Sequence, residues 1–102
     1  MLAPVARLRQ NYAAAFARYL INRDEAALAA AYELGRSALE NGVRLLDVVL
    51  VHHEVVIEAL PGIEGPQELA DAAAAFLIEV LASFEIAQQA YYEQRQTVDP
   101  SE

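Results

Sequence analysis

A chain of 102 residues with 56% hydrophobic composition makes one domain with enough apolar material for a core. Alanine supplies much of that fraction and buries little area per residue, which leans toward self-association. A formal net charge of −8 with no lysine excludes a phosphate-backbone partner and an anionic membrane surface, and the absence of cysteine excludes disulfides, zinc–thiolate sites and thiol catalysis.

The N-terminus MLAPVARLRQ lacks the basic start and long apolar run of a signal peptide. Asp71 and Glu79 interrupt the best candidate for a membrane span, so the expected setting is cytoplasmic. The first helix is expected over about Pro4 to Ile21, with Val5, Leu8, Tyr12, Phe16, Tyr19 and Leu20 at helical spacing. NRDE then reads as a capping box, Asn22 accepting from the freed amides while Glu25 reaches back. The second helix runs to about Asn41 and stops at Gly42, suited to a left-handed cap. Its charged Glu25, Glu33, Arg36 and Glu40 gather on one face, opposite Ala27, Ala31, Leu34 and Ala38. Gly35 and the small residues permit close approach of another helix.

The third helix is expected over about Arg44 to Leu60 and carries VVLVHHEVVIEAL, whose histidines and glutamates suggest metal binding or proton transfer. Helical geometry separates them. Asp47, Glu54 and Glu58 fall on one side, and Val48, Val49, His52, Val56, Ala59 and Leu60 on the other. His53 lies at the boundary, near Leu46 and Leu60. The zinc pattern H-E-x-x-H fails because Ile57 stands four residues after His53, and di-metal bundles need histidines on two helices. Ser37 and Ser83 have no nucleophile-elbow context. His52 is therefore read as structural, its ring bonded to a backbone carbonyl or a tyrosine. No cofactor, metal or catalytic residue is expected.

After the breaker PGIEGP, a long fourth helix is expected from Pro66 to about Arg95, with the frayed tail QTVDPSE behind it. Leu69, Ala73, Phe76, Val80, Phe84, Ala87 and Tyr91 make its core face, widened by Ala70, Ala74, Leu77 and Leu81. Asp71, Ala75, Ile78, Ala82, Ile86 and Gln89 fall about 180° away. A four-helix core has no use for isoleucine there, so Ile78, Ala82 and Ile86, rimmed by Glu79 and Glu85, either meet a second copy or dock a different protein. The fold class is all-α: a four-helix bundle spanning 1–95, expected as a helical homodimer, with a tail at 96–102.

RDEAALAAAYELGRSALENGVRLLDVVLVHHEVVIEAL, followed by AAAAFLIEVLASFEIAQQAYYE, resembles the N-terminal domain of RsbU-type serine phosphatases. The likeness runs from about Tyr12 to Glu93 and is closest in the histidine segment and the fourth helix. It implies a dimeric, non-enzymatic regulatory module of bacterial stress-response partner switching, which binds an RsbT-type switch kinase and so activates a serine/threonine phosphatase in sigma-factor control. It also implies a kinase contact around the fourth helix, which coincides with Ile78, Ala82 and Ile86, with Ala29 and Tyr32 as neighbours. The chain contains no metal-binding aspartate–glycine phosphatase motif, so phosphatase activity is expected in a segment outside it, whether the chain is a fragment or a stand-alone relative. The alternatives are a purely structural dimerisation module and a small-molecule or pH sensor using His52.

Overall fold

The computed structural model describes residues 3–98, with side chains as far as Arg95. The helices are α1 (Pro4–Asn22), α2 (Glu25–Glu40), α3 (Leu45–Ala59) and α4 (Pro66–Val98), with a 3-10 turn at Leu60–Gly62. There is no strand among the described residues, and the all-α bundle is as expected. Helix α4 continues three residues beyond Arg95; the remainder of the expected tail, residues 99–102, lies outside the described residues.

The first junction differs from the capping box read in the sequence. Helix α1 keeps Asn22, and Arg23 makes the break in the left-handed region, at φ 51°, donating its amide to the Tyr19 carbonyl at 2.8 Å. A left-handed arginine carries a steric cost of about 1–2 kcal/mol. Its guanidinium lies 5.2 Å from the centre of the Tyr19 ring, a cation–π contact that offsets part of that cost. The cap of α2 is Asp24, whose Oδ1 accepts from the Ala27 amide at 2.9 Å. The longer α1 has displaced the cap by two residues.

Gly42 ends α2 as expected. At φ 76° it lets its own amide reach the Leu39 carbonyl at 3.1 Å and that of Val43 reach Ala38 at 2.9 Å. This is the paired arrangement of a Schellman cap, closed by the buried Val43 against Ala38.

Helix α2 lies most extensively on α4, while α1 bridges α2 and α3. Helix α3 is thus seated chiefly on α1. Gly35 sets the closeness of the α2–α4 seam: a Cβ there would stand 2.0 Å from Ser83 Oγ and 2.1 Å from the Val80 carbonyl. Ser83 lies flush because its hydroxyl donates to that same carbonyl at 2.9 Å.

The core is built round Phe76 of α4. The rings of Tyr12 and Phe16 meet it edge-on, at centroid distances of 5.2 and 5.3 Å. The molecule measures 58 × 30 × 20 Å with a radius of gyration of 15.3 Å. A compact chain of this length would have about 12.8 Å. Helix α4 causes much of the elongation, since 33 residues at 1.5 Å each extend roughly 50 Å and overrun α2.

Candidate partner-binding surface

Ile78, Ala82 and Ile86 are spaced by four residues on the outer side of α4, forming a low apolar ridge roughly 12 Å long. All three are exposed, Ile78 at 65% and Ile86 at 56%. Ala75, placed on the same side by periodicity, packs partly against the core instead. It faces the seam with α2.

That seam joins the ridge to α2. Tyr32, half-buried, stands between two shallow grooves. Ala29, Glu33 and Glu79 line one of them with Tyr32. Arg36, Leu39, Ile86 and Tyr91 line the other, a cleft of 810 Å³. Glu85 borders a third depression beside Ile86, together with Gln89 and Glu93. The structure therefore brings Ala29, Tyr32 and Glu79 together and sets Tyr32 beside Ile86. Ile78 and Ala82 stand on the open ridge.

Arg36, Leu39 and Tyr91 were not among the candidates. Tyr91 was assigned to the core, yet it is 57% exposed because α4 outruns the helix that would cover it. Helix length was the missing information: α2 ends at Glu40, while α4 runs on to Val98. Within the cleft Arg36 Nε lies 3.5 Å from Glu40, an exposed pair of small energetic weight.

The histidine segment resolves differently. The half-buried His52 ring accepts at Nδ1 from the Tyr12 hydroxyl at 2.7 Å and meets the Tyr12 and Phe16 rings edge-on. Burial pushes the Tyr12 phenol up, so it keeps its proton. Burial, then repulsion from neighbouring His53, pushes His52 below the ordinary histidine value. Both groups are thus neutral near pH 7, and with the imidazole proton on Nε2 Tyr12 is the donor. Among the described residues no group of three or more histidines and carboxylates could hold a metal ion.

Helix α3 also corrects the expected core face. Val48, Val51 and Val55 are buried, whereas Val49 and Leu60, expected inside, are exposed. The helix is turned by roughly a fifth of a turn from the expected orientation. Arg9 of α1 supplies the physical reason. Its Nε meets Glu54 at 2.9 Å and its second branch bonds Glu58, so these carboxylates lie on the α1 side of the helix while remaining exposed to solvent. They in turn hold the guanidinium above its ordinary value.

The family model for the N-terminal domain of phosphoserine phosphatase RsbU matches residues 10–87, well over half of the sequence. The chain belongs to this family. The match takes in α2, α3, Tyr12, His52 and the whole ridge from Ile78 to Ile86. It is to the N-terminal domain of that phosphatase, not to its catalytic part. No curated protein and no solved structure matches the chain. No helix among the described residues is long and apolar enough to cross a membrane.

Proposed function

We propose that this RsbU-type domain is a non-catalytic receptor for an RsbT-type switch kinase in bacterial sigma-factor partner switching, working as a cytoplasmic homodimer. The kinase docks on the α4 ridge and the adjoining α2 seam. Ile78 and Ile86 enter apolar pockets of the partner, Tyr32 and Ala29 extend the contact, and Glu79 and Glu85 rim it. Docking on a helix that reaches beyond the domain body shifts the balance of arrangements available to whatever α4 connects to, and so activates the serine/threonine phosphatase that domains of this type regulate.

The supporting observation is the 65% exposure of Ile78 on a ridge that the core does not use. The acidic rim suits a partner carrying cationic side chains better than a second copy of a chain with net charge −8.

The test is Ile78→Asp, titrated against an RsbT-type kinase by calorimetry. Loss of a central anchor costs about 2 kcal/mol or more, roughly a thirtyfold weaker complex. Helicity and melting temperature should hardly change, since the side chain is already in water. Unfolding of the variant would make Ile78 a core residue and remove the basis of the docking reading.

A further inference from the structure

Helix α3 has one extensive helix contact, with α1, whereas α1 also packs on α2 and α4, and α2 lies along α4. Its buried side chains are Val48, Val51 and Val55, with Val56 and Ala59 half-buried at their margin. Its larger aliphatics point outward, Leu46 at 64% exposure and Leu50 and Ile57 at about half. Valine buries less apolar area than leucine or isoleucine, so the hold of α3 on the body is the lightest its composition allows. We propose that α3 is a lid, which lifts off α1 as a unit while α1, α2 and α4 stay packed, and that the Tyr12–His52 contact is its latch.

The first support is what remains when α3 is lifted. Phe76 stays between Tyr12 and Phe16, and Gly35 keeps α2 close against Val80 and Ser83 of α4. Of the largest side chains that are almost wholly buried, α3 supplies Val48, and α1 and α4 supply Tyr12, Phe16, Phe76, Val80 and Ser83. Lifting α3 uncovers the side of Tyr12 and Phe16 that the His52 ring meets edge-on.

The second is the joints. Ahead of α3, Val43 is buried and its amide is held by the Ala38 carbonyl of α2 at 2.9 Å. The next residue, Arg44, is the N-cap of α3 and makes no side-chain capping bond, so the chain can turn there without breaking one. Behind α3, the turn Leu60–Gly62 ends in open space: a Cβ on Gly62 would meet nothing within 4 Å.

The third is the latch. Two polar ties join α3 to α1: the exposed pairs of Arg9 with Glu54 and Glu58, and the Tyr12 hydroxyl on His52 Nδ1 at 2.7 Å. Exposed ion pairs hold weakly. The Tyr12 bond is shielded, and a buried hydroxyl is costly to leave unpaired, so this bond holds the lid down. A proton on Nδ1 turns the acceptor into a donor, and the Tyr12 hydroxyl loses the group that received its own proton. The titratable and charged groups round His52 are Tyr12 and Arg9 on α1 and His53, Glu54 and Glu58 on α3. Asp47, five residues before His52, falls about 140° away round the helix, and the turn Leu60–Gly62 carries no charged group. Acid therefore favours the lifted lid, in which His52 is hydrated.

Hydrogen exchange of the full chain tests the lid, with every rate divided by that of an unstructured chain at the same pH. At about pH 7.5 the central amides of α3, at 51–55, should exchange at least about tenfold faster than the slowest amides of α2 and α4, and with a weaker dependence on added urea. Tyr12→Phe should speed exchange at 51–55 about fivefold. Between about pH 7.5 and about pH 5.5, protection at 51–55 should fall more in wild type than in His52→Gln, which keeps a neutral acceptor. Central α3 amides that share the protection and the urea dependence of α2 and α4 would overturn the lid. Unchanged α3 exchange in Tyr12→Phe, or an equal pH response in His52→Gln, would overturn the latch. If Tyr12→Phe fails to fold, wild type and His52→Gln decide.

Discussion

The outer faces of α3 and α4 look alike in side-chain type and differ in their borders. Both are lines of exposed aliphatic residues set opposite a buried valine or phenylalanine row. The α4 ridge keeps its carboxylates beside it, Glu79 and Glu85. Beside the α3 ridge, Glu54 and Glu58 are paired with Arg9 of α1. Apolar area alone would make the two faces interchangeable. Charge at the border distinguishes them, and it suits the α4 face to a partner with cationic side chains.

The seam beneath the α4 face offers the largest way to break the comparison. Gly35→Ala places a Cβ about 2 Å from Ser83 Oγ and the Val80 carbonyl. The carbonyl belongs to α4's backbone and cannot swing aside, so α2 and α4 must separate. Overpacking of this kind costs about 1–3 kcal/mol or more, against which the better helix propensity of alanine returns about 1. At the upper end, a net loss of about 2 kcal/mol would lower the melting temperature by roughly 10 °C. Below that lowered midpoint, kinase affinity should fall, because Tyr32 and Ile86 no longer share a groove. If kinase binding survives unchanged, the seam is no part of the docking face.

A smaller change sharpens the α3 side. Tyr12→Phe deletes the hydroxyl that donates to His52 at 2.7 Å while keeping the ring that packs on Phe76. Loss of this bond should cost about 1 kcal/mol, read as a lower urea midpoint with an unchanged slope. Because α3 rests chiefly on α1, the weakened tie should loosen the α3 ridge and leave kinase affinity at the α4 ridge unaltered. A matching loss of kinase affinity would show that the two faces do not behave as separate surfaces.

The four helices could be read from periodicity and breakers, because each apolar stripe is interrupted by glycine, proline or a capping residue. The inward placement of Phe76, Val80 and Phe84 was legible for the same reason. The orientation of α3 was not. Its aliphatic residues surround the helix except for the strip of Asp47, Glu54 and Glu58, so the core side was inferred by assuming that this strip points straight outward. Arg9 lies 45 and 49 residues away from its two partners, and no local pattern announces that it turns the strip toward α1. The outer ridge of α4 was legible because periodicity sets Ile78, Ala82 and Ile86 about 180° from the core face, where a four-helix core has no use for isoleucine. The groove residues Arg36, Leu39 and Tyr91 were hidden because they depend on where α2 stops relative to α4.

Solution pH gives the finest test, since it acts on His52 and leaves the α4 ridge with no histidine to titrate. Burial holds folded His52 below the ordinary histidine value, so between that lowered value and about 6.5 the unfolded chain binds the extra proton more readily. The sign follows directly. The contribution of neutral His52 is complete above about pH 6.5, declines as the pH falls below it, and levels off below the folded-state value. The comparison should stay above about pH 5, where carboxylates with ordinary values near 4 remain ionised. His52→Gln keeps a neutral acceptor for Tyr12 at every pH. Wild type should therefore lose melting temperature between about pH 7.5 and about pH 5.5 by more than His52→Gln does. Under the same shift the α3 amides should lose more protection in wild type than in His52→Gln, as α3 loosens on α1, while any pH effect on kinase binding at the α4 ridge should be the same in both. Equal pH slopes for the two proteins would mean that protonation of His52 costs the fold nothing, and the Tyr12–His52 bond would then not be what ties α3 down.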